Sequence, residues 1–312
     1  MDSEIAAVLA AAMETSGVAP ATARGDAFAL RASANLALAG VDAGTVDSPN
    51  VTSEDHQITV ADGSSILVRW YTKSGSNPGS AIVYLHGGGM ICGSVDLYHR
   101  TVSNYVEQTG VPFLSVDYRL APEFSGTTLV DDSHSALVWL VDRADELEID
   151  PGRIAVMGDS GGGGVAAGVA IAAREAGTPL AAQILMYPML DDRNLNPDPH
   201  IEPFAAIWTY DNNYTGWHAL LGDHLGTFRV PPVTAPARLK EFTGLAPAFI
   251  DVGDLDIFRD EDISYAQKLL GAGVPCELHV RAGSLHGFDR LAPNASVSAA
   301  SWNDRYRVIT GI

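Results

Sequence analysis

Arg153-Ile154-Ala155-Val156-Met157-Gly158-Asp159-Ser160-Gly161-Gly162 sets one serine between a short apolar strand and an alanine-rich helical stretch. A G-x-S-x-G turn needs neighbours without Cβ atoms, because the chain reverses sharply and strand and helix pass close together. Gly158 and Gly162 meet that need. The spacing predicts that the turn lifts the Ser160 hydroxyl clear of the sheet and opens a helix over 163–173, whose N-terminal dipole favours developing negative charge. A strand before the motif and a helix after it separate such a nucleophile elbow from an ordinary glycine turn.

Outward from this turn, strand-like and helix-like stretches alternate from residue 51 onward, the pattern of a wound, mostly parallel sheet. Residues 58–60 and 66–71 read as an opening β pair joined through Ala61-Asp62-Gly63, and 81–85 and 111–118 read as apolar strands. Residues 131–147 have helical spacing, with Ala136, Leu137, Leu140 and Val141 on one face, and Asp150-Pro151 stops that helix. After a strand at 182–187 the pattern breaks between Asp191 and about Arg238, a stretch rich in Pro, Asn and aromatics that reads as an inserted lid. It resumes with a strand at 248–252, a helix at 262–270, a strand at 277–280 and a closing helix at 297–309. Residues 1–45 read as helices that precede the sheet, with Ala6, Leu9 and Met13 at helical spacing and a second helix over 28–38.

The 312 residues, 46% of them hydrophobic, suffice for one large α/β domain with an insertion. A formal charge of −19 argues against nucleic acid or an anionic membrane as partner, since both require a basic footprint. No run approaches the ~18 apolar residues of a membrane span. Asp2 and Glu4 with no early Lys or Arg argue against a secretory leader, so a cytoplasmic location is expected. Cys92 and Cys276 stand in no metal-binding or redox spacing and are expected as buried free thiols. Because Cys92 closely follows a glycine run, thiol reagents are expected to block access to the site.

A serine hydroxyl becomes a useful nucleophile when a positioned base takes its proton and a carboxylate orients that base. His286, after the last strand of the pattern, is the natural base, because in such sheets the partners follow in the order serine, acid, histidine. Asp251, Asp254, Asp256 and Asp260 lie in range for the acid. Asp251 falls inside a strand and needs a special reason for burial, and Asp260 suits a helix cap or first turn, which leaves Asp254 and Asp256. Local chemistry does not choose between them. His86-Gly87-Gly88-Gly89 follows the 81–85 strand, and its glycines let backbone N–H groups converge on one point. Gly87, Gly88 and Gly161 are therefore the candidate oxyanion donors, each worth about 3 kcal/mol of transition-state stabilisation. His86, on the donor loop, and Asp159, beside the serine, are assigned supporting parts.

His86-Gly87-Gly88-Gly89, Asp117-Tyr118-Arg119-Leu120-Ala121-Pro122-Glu123, Gly158-Asp159-Ser160-Gly161-Gly162, Asp256-Ile257-Phe258-Arg259-Asp260-Glu261 and His286-Gly287-Phe288 together resemble the motifs of the bacterial hormone-sensitive-lipase-like esterases in order and approximate spacing. The likeness runs from about residue 80 to 290. Three departures stand out: Ile257-Phe258 replaces Pro-Leu, Phe124-Ser125-Gly126 replaces His-Pro-Phe-Pro, and Gly161 stands where alanine is common. The resemblance implies an α/β-hydrolase fold with an eight-stranded, mostly parallel sheet flanked by helices. It also implies a helical cap, dividing the chain into an N-terminal cap segment (1–45), a first core part (46–188), a cap insertion (189–238) and a second core part (239–312). It places the triad acid at Asp256. No metal and no organic cofactor are implied, and the expected partners are a small-molecule ester and water.

In the insertion, Trp208, Tyr210 and Tyr214 are candidate substrate contacts, although Tyr210, Tyr214 and Trp217 also have the spacing with which a cap helix packs on the body. The expected activity is two-step hydrolysis of short-chain acyl esters by Ser160, His286 and Asp256. G-D-S-G-G also surrounds the nucleophile of chymotrypsin-like proteases, yet those are all-β and often disulfide-rich, whereas here an alanine-rich helix follows. Plant gibberellin receptors resemble the same family but lack the triad histidine, and His286 is present. An edge strand near 277–280 and the family resemblance make a homodimer an expectation.

Overall fold

The computed structural model describes residues 1–16 and 22–312, apart from the side chains of Met13, Thr15 and Ser16. Residues 17–21 of the expected cap segment, and the place of Met13 in its helical stripe, thus lie outside the described residues. The apolar runs β3 (Ala81–Leu85), β4 (Phe113–Val116) and β5 (Ile154–Asp159) are buried at every position, as strands must be when both faces are covered. Successive side chains alternate between the two sides. Ala81, Val83, Leu85, Ile154 and Val156 join one apolar cluster, while Ile82, Tyr84, Ala155 and Met157 join the other.

With β1 (Val51–Thr59), β2 (Ser65–Lys73), β6 (Ala182–Met186), β7 (Ala248–Gly253) and β8 (Cys276–Arg281) these strands make one eight-stranded sheet in the order β1-β2-β4-β3-β5-β6-β7-β8. The β1–β2 and β2–β4 pairs are antiparallel and the other five are parallel. Among the helices, α1 (Ser3–Ser16) and α2 (Ala27–Gly44) precede the sheet, and α3 (His99–Thr109), α4 (Thr128–Asp142) and α5 (Gly161–Ala176) alternate with its strands. Next come α6 (Tyr210–Leu221), between β6 and β7, then α7 (Arg259–Gly271), α8 (Phe288–Leu291) and α9 (Ser296–Thr310). Residues of α4, α5 and α7 bury one face of the sheet, and residues of α1, α3 and α9 bury the other.

β1 runs from residue 51 and pairs with β2 over nine positions, well beyond the expected 58–60, because its polar, largely exposed residues hide the strand from a hydrophobicity reading. α3 is unanticipated for a related reason: its sequence is polar, yet Val102, Tyr105 and Val106 suffice to bury one face. α2 is docked by Arg31, whose guanidinium bonds Glu123, the Ala121 carbonyl (2.7 Å) and the Ile91 carbonyl. The glutamate that ends the Asp117–Glu123 motif therefore anchors the N-terminal helix. α2 in turn meets the β6–β7 insertion, where Gly25 N–H donates to Thr215 Oγ1 at 2.9 Å and Arg24 pairs with Asp211.

Candidate active site

The turn from β5 into α5 holds Ser160 at φ 55°, ψ −121°, a left-handed conformation that a non-glycine residue rarely adopts. Its tightness depends on glycine. A Cβ on Gly158 would lie 2.3 Å from the Gly162 carbonyl oxygen, and one on Gly162 would lie 2.1 Å from the Leu85 carbonyl oxygen. The helix starts at Gly161, two residues earlier than expected, directly behind the serine.

Ser160 Oγ lies 3.0 Å from His286 Nε2, and His286 Nδ1 lies 2.8 Å from Asp256 Oδ2. Asp256 is wholly buried in the loop between β7 and α7, and its Oδ1 accepts the Phe258 N–H at 3.0 Å. The imidazole is held by the edges of Tyr187 and Phe258, with ring centroids 4.9 and 5.1 Å away. Asp254 has another task, accepting the Gly283 N–H at 2.7 Å and so bracing the loop that carries the histidine. Asp251 does find its reason for burial in Arg281 (2.7 Å), Arg305 and Ser301, and Asp260 sits in the first turn of α7.

The glycine loop after β3 requires a correction. The Gly87 N–H, expected among the oxyanion donors, donates to Asp159 Oδ1 at 3.1 Å. The same carboxylate accepts from Tyr84 (2.8 Å) and Tyr98 (2.9 Å), so Asp159 pins the loop to β5. Among the described residues no acceptor takes the N–H of Gly88, Gly89 or Gly161. The N–H of Gly89, the last glycine of the run, is one that the sequence reading left out. His86 is wholly buried, with Nδ1 3.0 Å from the Gly87 carbonyl and its ring stacked on Tyr118 at 4.3 Å. Burial lowers its pKa, which suits a neutral structural imidazole.

A cavity of about 200 Å³ opens beside Ser160 and His286, walled by one face of α2 (Ala34, Ala37, Leu38, Val41) and by Ile207 and Trp208 of the insertion. Trp208 lies close against the glycine loop: a Cβ on Gly89 would come within 2.2 Å of its indole. Tyr210 and Tyr214 do not line this cavity, contrary to expectation. The Tyr210 hydroxyl accepts the Asp198 N–H at 3.2 Å in a separate groove, and Tyr214 stacks on His218 beneath the Arg24 guanidinium. Both pack the insertion, as does the wholly buried Trp217. Tyr98, Tyr187 and Arg290 line the cavity and carried no sequence signal beyond their types.

Cys92 also lines the cavity, but its thiol donates to the Gly88 carbonyl at 3.0 Å and burial pushes its pKa up to about 12. A thiol reagent attacks the thiolate, so the earlier expectation of inhibition reverses. Iodoacetamide at pH 8 is expected to leave Cys92 unmodified in the folded protein, read by peptide mass.

Asp262, one turn into α7, is wholly buried, and among the described residues neither carboxylate oxygen has a partner. Desolvation first, then the neighbouring Glu261 and Asp256, raises its pKa well above the usual carboxylate range. The folded state thus holds this proton more tightly than the unfolded chain, and stability falls as pH rises from the unfolded value near 4 toward the raised one. Asp262→Asn is expected to raise Tm by at least about 2 °C at pH 8, with the gain vanishing toward pH 4. Melting curves at the two pH values check this.

An eight-stranded, mostly parallel sheet with a serine on the strand-to-helix turn after β5, and acid and histidine on later loops, defines an α/β hydrolase. A model of the alpha/beta hydrolase fold family matches residues 82–290, and the chain belongs to that family, in the hormone-sensitive-lipase-like group its motifs resemble. It is 33% identical over 255 residues to an ethyl acetate hydrolase of Pseudomonas putida, covering 80% of this chain and 79% of that one. It is 37% identical over 215 residues to carboxylesterase NlhH of Mycobacterium tuberculosis, covering 68% and 67%. Among solved structures, a bacterial heroin esterase superposes with a TM-score of 0.89 at 31% identity, covering 99% of this chain and 97% of that one.

Proposed function

We propose that this protein is a serine carboxylesterase that hydrolyses short-chain acyl esters through an acyl-enzyme on Ser160. The unbroken hydrogen-bond chain Ser160–His286–Asp256 carries the reading. His286 Nε2 takes the Ser160 proton as Oγ attacks the ester carbonyl, while Asp256 fixes the Nδ1–H tautomer and stabilises the imidazolium. The N–H groups of Gly88, Gly89 and Gly161 hold the oxyanion, and the α5 dipole adds to them. The imidazolium then protonates the leaving alcohol, and a water activated by the same histidine releases the acid. Side chains, backbone amides and water supply every step.

The donor geometry depends on a bare Gly161. A Cβ there would come within 2.7 Å of Met90 N and 2.8 Å of Gly89 N, both backbone atoms. Gly161→Ala is therefore expected to push the glycine loop outward and to lower kcat by about tenfold or more. Kinetics with p-nitrophenyl butyrate check it, even though alanine is common at this place in the family.

A cavity of about 200 Å³ suits a short acyl chain. We assign the part of its wall built by α2, Ile207 and Trp208 to a cap formed by residues 1–45 and 189–238, a reading supported by the bonds that Arg24 and Gly25, just before α2, make with the insertion. The described residues hold no helix long and apolar enough to cross a membrane. A cytoplasmic location is supported by two free cysteines, one of them buried, which a reducing compartment preserves. A homodimer through β8 is supported by that strand's place at the sheet edge, and light scattering tests it against the 32.9 kDa chain mass.

A panel of p-nitrophenyl esters tests the activity. Rates are expected to peak among the acetate, butyrate and hexanoate esters and to fall with longer chains. Hydrolysis of none of them, or a maximum at dodecanoate or beyond, contradicts the reading.

A further inference from the structure

The loop that follows β3 is gripped from two sides. The sheet side holds its first part: the Tyr118 hydroxyl donates to the His86 carbonyl at 2.5 Å, the Gly87 N–H donates to Asp159, and the Met90 carbonyl accepts the Ala121 N–H at 3.1 Å. Helix α2 holds its last part. Arg31 Nε donates to the Ile91 carbonyl at 2.5 Å, and one turn further along the helix Asn35 Oδ1 accepts the N–H of the buried Gly93 at 2.9 Å.

Residues 91 and 92 reach back toward the glycines. Their N–H groups both donate to the Gly88 carbonyl, at 3.1 and 3.0 Å, and the Cys92 thiol donates to it as well. A peptide unit is planar, so the Gly88 carbonyl and the Gly89 N–H turn together and point opposite ways. Whatever fixes that carbonyl therefore aims that N–H. The peptide joins two glycines at φ 125° and 56°, residues whose torsions resist its rotation least. α2 also walls the cavity beside Ser160 with Ala34, Ala37, Leu38 and Val41, whereas Asn35 does not line it.

We infer that Asn35 is a positioning residue for the oxyanion. By holding Gly93 it keeps residues 91 and 92 on the Gly88 carbonyl, and so keeps the Gly89 N–H aimed at the oxygen that becomes negative. The inference rests on the esterase reading above and adds to it a side chain far in sequence from the catalytic motifs.

Asn35→Ala tests it, and alanine has the higher helix propensity, so α2 itself is not weakened. With p-nitrophenyl butyrate kcat is expected to fall about fivefold, the worth of one hydrogen bond, while KM stays within about twofold. A matched pair of inhibitors separates the oxyanion from the pocket. On 1,1,1-trifluorohexan-2-one the Ser160 Oγ bonds to the carbonyl carbon, the serine proton passes to His286 Nε2, and the π pair of the carbonyl becomes an oxyanion, as in the transition state. Hexan-2-one, without the activating fluorines, binds as a ground-state ketone. The variant is expected to bind the fluorinated ketone about fivefold more weakly and hexan-2-one within about twofold of wild type. Leu36→Ala, next to it but exposed, is expected to alter none of these values.

A kcat within about twofold of wild type overturns the inference, as does a loss confined to KM, an equal weakening of both ketones, or a Leu36→Ala variant that loses as much. Should Asn35→Ala fail to melt cooperatively, Asn35→Ser, whose oxygen sits one bond nearer the backbone, takes its place with the same expected and contradicting results. A wild-type protein that hydrolyses neither p-nitrophenyl acetate nor the butyrate overturns the esterase reading together with this one. An active wild type whose Asn35 variant keeps its kcat overturns this one alone.

Discussion

Ser160→Ala is expected to lower kcat for p-nitrophenyl butyrate by roughly 10⁴–10⁶-fold, the loss seen when the nucleophile of a serine triad is removed. The Ser160 hydroxyl is within reach of His286 Nε2, whereas the thiol of Cys92 and the hydroxyls of Tyr98 and Tyr187, which also line the cavity, are bonded to the Gly88 carbonyl, Asp159 and Asp289, so none of them substitutes for it. The cavity walls stay in place, and KM should therefore change far less than kcat. Residual hydrolysis comes from the backbone donors and from binding alone. A purified alanine variant that retains more than about a hundredth of the activity contradicts the assignment.

Asp256→Asn is expected to cost about 10⁴ in kcat, and Asp254→Asn no more than about tenfold. The reason is proton placement. Asp256 Oδ2 receives the Nδ1–H of His286 at 2.8 Å, which leaves Nε2 unprotonated and facing Ser160. An amide at 256 can offer N–H to Nδ1 and move the ring proton to Nε2, where it blocks acceptance of the serine proton. Asp254 instead takes the Gly283 N–H at 2.7 Å, and its amide variant retains an oxygen for that bond. Kinetics of both variants with one ester, alongside their melting curves, check the pair. The reverse order of effects would move the acid to 254.

Much of this was legible in the chain, for identifiable reasons. Gly158 and Gly162 bracket Ser160 because strand and helix touch there, and a close approach of backbone leaves a mark in sequence. The alternation of strands and helices follows from burial of β3, β4 and β5 on both faces, which their apolar runs display. The choice between Asp254 and Asp256 was different: two acids two residues apart carry the same local chemistry, and the family motif decided for Asp256. Gly87 was misassigned because an N–H is indistinguishable from its neighbours until the side chain that captures it, Asp159, is in place. Tyr210 and Tyr214 were misplaced because an aromatic on a helix reads alike whether it faces a cavity or a neighbouring segment. Arg290 had no signal at all, since the carboxylate that answers its charge, Asp159, is remote in sequence.

The central claim is that His286 and Asp256 make one particular hydroxyl, that of Ser160, reactive. Treatment with diethyl p-nitrophenyl phosphate, followed by digestion and peptide mass measurement, tests this directly, because such a phosphotriester traps only an activated nucleophile. A single diethylphosphoryl group on Ser160, gained in step with the loss of hydrolysis and absent from His286→Ala over the same period, is the expected result. Complete inactivation with Ser160 unlabelled, or equally rapid labelling without His286, would contradict it.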